Sequence, residues 1–422
     1  MLDLIRRSFP VRPAVIVTIA GIAIAFACSK ADPKGAAPVG SAASSALLPH
    51  VQKHLPPSKS TRRTTSGDIA LGNLDGQISS LERLVAKPSA DPQRRRNLIE
   101  LLMVRGEMAG RIADIERAAA LAERFPQDVP DKPDAYITRA KARAALHRFD
   151  DAWADLDEAE RRGAQPGQTR SKRATILAAQ GRLEDALRLA LEVRKERPNI
   201  DAIGIIAVLL GQLGRQTEAI AAFREAFEAN DDSSPFPVAW LFFNQGQFWE
   251  REGNKDLAIA FYRASLERLP AYAHAAAHLA RLEKPDVAEA ILKPLLGTSD
   301  DPDLHFVLAV KLKARGDDAG AKAHVSSAMA RYDELVARHP AAFADHAAQF
   351  WLDAGGDSKK AFELAKRNVL VRKTPEAYEL AVTAALASHD RKAACEIGTE
   401  GLELSRVSSM FRAIVKGACE RR

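Results

Sequence analysis

The sequence predicts an all-α solenoid of helical hairpins, and two observations carry that prediction. A G-x-x-x-x-A cadence recurs at Gly181…Ala186, Gly214…Ala219, Gly253…Ala258, Gly316…Ala321 and Gly356…Ala361. The anchoring alanines, Ala152, Ala186, Ala219, Ala258, Ala290, Ala321, Ala361 and Ala394, recur at nearly equal steps, with longer ones after Ala219 and Ala321. Self-similarity at such a period is the signature of stacked helical units, each unable to bury its apolar face alone.

One unit shows the physics. The apolar-periodic stretch over residues 173–180 ends at Gly181, a residue that tolerates the left-handed conformation at a helix C-terminus. A second stretch, Leu183–Glu196, carries Ala186, Leu187, Ala190, Leu191 and Val193 at helical spacing, and Pro198 stops it. Small residues at Ala174 and Ala186 let the two helices approach closely, because side chains at the contact set the interaxial distance.

In this register the chain resembles the tetratricopeptide-repeat family, in which large and small residues alternate at fixed positions and an alanine and an aromatic mark the second helix. One unit carries Phe242, Gly246, Ala258, Tyr262, Ser265 and Pro270. Another carries Ile203, Ala207, Ala219, Phe223 and Ala226, and an earlier one Tyr136, Ala140, Ala152, Leu156 and Ala159. The resemblance implies a right-handed superhelix of about eight hairpins over residues 133–405. Residues 67–132 are expected to form degenerate hairpins acting as an N-terminal cap, and residues 406–422 a C-terminal cap helix with Phe411, Ile414 and Val415 on one side. Irregularities are expected at positions 231–237 (an insertion), at positions 283–286 (a shortened turn that allows two registers) and at positions 319–339 (an overlong second helix). His389-Asp390 stands where a glycine is usual.

The N-terminus is a separate object. Arg6, Arg7 and Arg12 precede an apolar run from Ala14 to Ala27. As a helix this run would span roughly 21 Å, short against a hydrocarbon core of about 30 Å. With the ending Ala25-Phe26-Ala27-Cys28, residues 1–28 resemble a bacterial lipoprotein signal, which implies lipidation of Cys28. Ser29, rather than an aspartate, favours the outer membrane. Arg6-Arg7-Ser8-Phe9 fits a twin-arginine core as well, but adjacent arginines are common in ordinary secretion signals. Residues 29–66, rich in Ala, Ser, Pro and Lys, bury too little apolar surface to offset their ordering entropy, and read as a disordered tether.

Charge and motifs narrow the function. The net charge of +6 is modest, and acidic and basic residues alternate along the helices, which is a solvated face and not a nucleic-acid stripe. H-E-x-x-H, Walker A, G-x-S-x-G and dinucleotide signatures are all missing from the sequence, so neither a catalytic residue nor a cofactor is expected. His274 and His278, at i and i+4, share a helix face, and His305 and His346 lie on neighbouring first helices. A metal site would need more ligands, and no metal is expected. Cys395 and Cys419 lie on elements expected to pack together; a disulfide and a pair of buried thiols remain alternatives.

In the family, inner positions of the first helices line a groove. Transferred to this chain, they give Trp240, Phe243, Asn244, Gln247 and Arg251, then His274, His278 and Arg281, then Phe306, then Phe343, His346 and Phe350. Aromatic and arginine side chains are typical binding anchors, although self-filled grooves are equally a property of solenoids. The resulting expectation is a non-catalytic scaffold in a bacterial cell envelope, tethered by lipid to the outer membrane and facing the periplasm. It would bind other envelope proteins or peptide segments, and no nucleic acid. A metal-binding or enzymatic protein using His274 and His278, or a structural spacer, is the alternative.

Overall fold

The structure is a computed structural model that describes residues 64–86, 91–404 and 406–420. The signal-like segment with Cys28, and the tether up to residue 63, lie outside the described residues. The described chain is helical throughout: α1 Gly67–Val85, α2 Pro92–Ala109, α3 Ile112–Asp128, α4 Pro133–Ala145, α5 Phe149–Arg161, α6 Pro166–Ala179, α7 Leu183–Glu196, α8 Ile200–Gln212, α9 Gln216–Glu228, α10 Pro235–Arg251, α11 Lys255–Arg268, α12 Ala273–Leu282, α13 Pro285–Leu292, α14 Pro302–Arg315, α15 Asp318–Arg338, α16 Pro340–Phe350, α17 Ser358–Val371, α18 Pro375–Ala387, α19 Arg391–Gly401 and α20 Ser409–Glu420. From α2–α3 to α18–α19, consecutive helices pair as hairpins, with α1 and α20 at the two ends. Among the described residues no helix is long and apolar enough to cross a membrane.

Local chemistry sets the boundaries. Proline opens α2, α4, α6, α10, α13, α14, α16 and α18, at a position where its missing N–H costs nothing. Side chains of Ser66, Asp91, Asn199, Ser234, Asn254, Asp301, Asp317, Asp357, Thr374 and Asp390 accept from the first turns of their helices. The turn inside most hairpins uses one left-handed residue: glycine supplies it in six, and His147 (φ 54°) and His389 (φ 66°) in two, while the short Glu283-Lys284 turn of α12–α13 is made by extended residues.

Packing repeats with the same regularity. A small residue on the first helix faces the anchoring alanine twelve positions later: Gly106 and Ala118, Ala140 and Ala152, Ala174 and Ala186, Ala207 and Ala219, Gly246 and Ala258, Ala276 and Ala288, Ala309 and Ala321. At Gly246 an added Cβ would sit 2.6 Å from the Tyr262 ring. Ala118 lies one full repeat before Ala152 and is fully buried, so the hairpin register already holds in α2–α3, inside the region expected to be degenerate.

One anchor is corrected. Ala290 is exposed, and Ala288 takes the buried position, because the short turn at Glu283-Lys284 starts α13 early. The π-turn at Trp351–Gly355 absorbs the extra length after α16. α15 is the overlong helix of the sequence reading. Thr64, Thr65 and Ser66, read as the end of the tether, belong to the folded part: Thr65 N–H donates to the Ser233 carbonyl at 2.8 Å, and Ser66 caps α1.

The hairpins wind so tightly that one coil of the solenoid rests on the next. The Gly110 carbonyl accepts from Asp300 N–H (3.1 Å) and from Ser299 Oγ (2.7 Å). His147 Nδ1 lies 3.0 Å from the Ala341 carbonyl, and Arg406 Nη1 donates to the Gly211 carbonyl at 2.6 Å. These contacts bridge 189, 194 and 195 residues of sequence. Each joins the turn of an early hairpin, or the helix end just before it, to the loop before a later helix or to that helix's first turn. Glu116 extends the seam with Arg338 (3.1 Å) and His339 (2.9 Å).

Candidate functional site

Because the coil is closed, the inner faces of the later first helices meet one another and fill the axis. On α10 every residue from Val238 to Trp249 is buried. The expectation that Trp240, Phe243, Asn244, Gln247, Phe306 and Phe350 line an open groove is therefore corrected: all six are buried. Phe243 packs its ring 5.2 Å from Tyr272 and 5.2 Å from His278, with Tyr262 at 5.9 Å. Phe306 meets Phe350 edge-on at 5.6 Å, and Phe350 meets Tyr332 at 5.2 Å. Phe343, Arg251, His274, Arg281 and His346 are half-buried at the margins of this filled interior, and His278 is buried within it.

Of the polar residues expected as groove contacts, His278, Arg281 and His274 instead face carboxylates of the fold itself. Tyr262 OH donates to Glu250 at 2.5 Å, and His278 Nδ1 lies 3.1 Å from the same carboxylate. Burial opposes the Glu250 charge, but the bonds from His278 and Tyr262 outweigh it and hold the carboxyl below its usual range. Arg281 grips both oxygens of Asp303 at 2.5 and 2.6 Å. Arg372 pairs with Asp345 at 2.7 Å, and the Asp345 carboxylate accepts from the backbone N–H of His346. His274 stands 3.8 Å from Asp301, and burial, with His346 and His278 nearby, pushes its imidazole down to about 4. Burial, with the Arg372 charge, likewise lowers His147 to about 4. His305 turns to His324, with Nδ1 atoms 2.8 Å apart, rather than to His346. Among the described residues no group of three or more His, Cys, Asp or Glu side chains is placed to hold a metal ion.

A different set of inner residues keeps its charges unspent. Glu107 of α2, Lys141 of α4, Lys172 of α6 and Asp201 of α8 stand on consecutive first helices, close enough to perturb one another's ionisation. Lys141 is only 6% exposed, yet it makes no hydrogen bond or ion pair with the described residues. Glu107 Oε1 is buried without a donor. Burial drives these groups toward neutrality: it raises Glu107 and Asp201 and lowers Lys141 and Lys172. Half-buried Val104, Ile137 and Ile205 lie on the same helices. Sequence reasoning missed this wall. A signal existed, since Glu107 and Lys141 are one repeat apart and occupy one register position, but alternating charge read as ordinary solvation.

Cys395 of α19 and Cys419 of α20 are joined as a disulfide, with Cα atoms 5.0 Å apart. The bridge fastens the terminal helix to the last hairpin and resolves the alternatives left open by spacing alone.

Hairpins of constant register, stacked into a superhelix with a charged inner wall, define a repeat protein built for interaction. Residues 200–233, the α8–α9 hairpin and the loop after it, match the tetratricopeptide-repeat family model. The other hairpins keep the register of that matched unit, and the fold of the described chain is that of a tetratricopeptide-type solenoid. No curated protein matches the sequence. Among solved structures, the Cut9 and Hcn1 hetero-tetramer of the APC/C is similar at 14% identity and a TM-score of 0.42, over 81% of this chain and 59% of that one. This chain thus spans less than two thirds of that relative. Yeast Tom70 is similar at 14% identity and a TM-score of 0.36, over 83% and 93% of the two chains. A human IFIT1 dimer is similar at 16% identity and a TM-score of 0.46, over 79% and 78%.

Proposed function

We propose that this protein is a non-catalytic scaffold of a bacterial cell envelope, lipid-anchored through Cys28 in the outer membrane and facing the periplasm. It binds other envelope proteins or their peptide segments on the inner wall of its first hairpins. The observation that carries the reading is the row Glu107, Lys141, Lys172 and Asp201, whose charges find no ion-pair partner within the described chain. Holding an ionisable group buried, as Lys141 is, or half-buried, as the other three are, without a hydrogen-bonded ion pair is costly, and a surface built only for packing would replace it with an apolar side chain. The intervening Val104, Ile137 and Ile205 supply apolar contact, so a mixed-charge segment with apolar residues fits the wall. The joined Cys395 and Cys419 support export to an oxidising compartment.

Site-specific photo-crosslinking in the envelope tests the binding surface. A crosslinker at Ile137 or Ile205 captures a partner, while one at the outward Leu370 does not. Capture from Leu370 alone would sink the inner-wall reading. Palmitate labelling tests the anchor: wild type takes the label and fractionates with membranes, and the Cys28→Ser protein does neither. Unchanged fractionation of that variant removes the anchor from the account.

A further inference from the structure

The end of α10 holds a cation that the fold leaves unanswered. Arg251 is its last residue, and its Nε and Nη1 atoms are buried with no hydrogen-bond partner. The guanidinium makes no ion pair with the described residues. Its neighbours explain why. The carbonyls of Gly211 and Gln212, at the end of α8, accept from Arg406 Nη1 at 2.6 and 3.3 Å. Glu250, next in sequence, is committed to Tyr262 and His278. Glu252 receives Arg406 Nη2 at 3.1 Å.

The backbone makes room for Arg406, since a Cβ on Gly214 would lie 2.7 Å from its Nε, while Gly211 is held open for the Phe248 ring and lies at ordinary contact distance from Arg251 Nη2, 3.8 Å from where its Cβ would stand. Two guanidiniums therefore converge on the end of α8, one satisfied and one not. The C-terminus of α10 favours a positive charge there, but a helix dipole gives no partner to individual N–H groups.

We propose that Arg251 binds an oxyanion, a carboxylate or phosphate group, at the junction of α8, α10 and the Arg406 loop. A planar guanidinium with unspent donors matches an oxyanion in geometry as well as charge, and burial of its Nε and Nη1 strengthens the pair. Arg406 adds positive potential while its Nη1 and Nη2 atoms are engaged by Gly211, Gln212 and Glu252. Burial lowers the Arg251 pKa in the anion-free chain; the more distant Glu376, with Tyr262 and Glu250, opposes the shift without offsetting it, and none of them is hydrogen-bonded to the guanidinium.

The test is thermal melting of the purified full-length chain in inorganic phosphate, in acetate and in chloride at one ionic strength. A group that binds only the folded state raises the wild-type midpoint saturably, by about 4 °C at a hundredfold excess over its dissociation constant. Phosphate acting alone assigns the site to phosphate groups, and acetate acting equally assigns it to carboxylates. In the Arg251→Met protein the anion-dependent rise disappears, and the anion-free midpoint equals or exceeds that of wild type, because an unpaired buried charge has been removed. An equal rise in wild type and variant, no rise in wild type, or an anion-free variant melting well below wild type would each overturn the proposal. The last of these would mean that the guanidinium is already paired within the protein.

Discussion

Phe243→Ala separates a filled interior from an open groove. The ring is 1% exposed and lies against Tyr262, Tyr272, His274 and His278 at centroid distances of 5.9, 5.2, 6.3 and 5.2 Å. Truncation loses roughly 2 kcal/mol of transfer free energy for a buried aromatic. A cavity remains, because α10 is buried on all sides and cannot collapse inward, and lost ring contacts add to the cost. Together these bring the loss to about 4 kcal/mol, within the range measured for such truncations. Unfolding entropy scales with chain length, so for an array of this size the melting midpoint falls by about 5–6 °C. Circular dichroism melts and urea titrations of the purified chain measure it. A midpoint within about 1 °C of wild type, at unchanged urea slope, would refute the reasoning and return Phe243 to a solvent-facing groove.

Three further outcomes follow from the same structure. Reducing the Cys395–Cys419 bridge, which closes a loop of sequence separation 24, costs about 3 kcal/mol in the chain-entropy model; hydrogen exchange then rises in α20 before it rises in α18, and uniform protection would argue against the cap. Glu116→Gln weakens the contact between coils, so exchange increases together around Gly110 to Glu116 and around Arg338 to Ala341, while the α8–α9 hairpin is unaffected; an increase in only one of the two segments would contradict the seam. His274 and His147 are held near 4, below the ordinary histidine value of 6.5, so the unfolded chain binds their protons first as pH falls. Stability is therefore full above about pH 6.5 and declines toward pH 4, by on the order of 2–3 kcal/mol for each group. Urea midpoints at pH 7 and pH 5 read this slope. The combined His147→Gln and His274→Gln variant flattens it, and an unaltered slope would assign the loss to other groups.

How much was legible in the sequence depends on the distance over which each feature is fixed. A hairpin is decided within a single repeat: Gly181 turns the chain, Ala174 and Ala186 set the helix separation, and Pro198 ends the unit. Each cue acts on its own neighbours, so repetition made the pattern clear, and even the overlong α15 and the insertion before α10 could be seen. The two-way register at the Glu283-Lys284 turn went the other way. Ala288 and Ala290 are both small enough for the position, and only the core cluster that holds Ala276, Ala280 and Leu292 selects the first.

The sequence by itself determined the unit, the class of fold and the terminal helix that carries Cys419. Tertiary structure alone decided the winding of the superhelix, which accumulates from small rotations between neighbours that no single repeat records. That winding brings Gly110 to Asp300, His147 to Ala341 and Gly211 to Arg406, at separations where the sequence has no periodic signal. It also closes the interior around Trp240, Phe243, Phe306 and Phe350, while Glu107, Lys141, Lys172 and Asp201 keep unspent charges on the earlier hairpins. An inner helix position reads the same in sequence whether the coil is wide or tight. Its exposure depends on what the coil brings across the axis, and that is a property of the whole array.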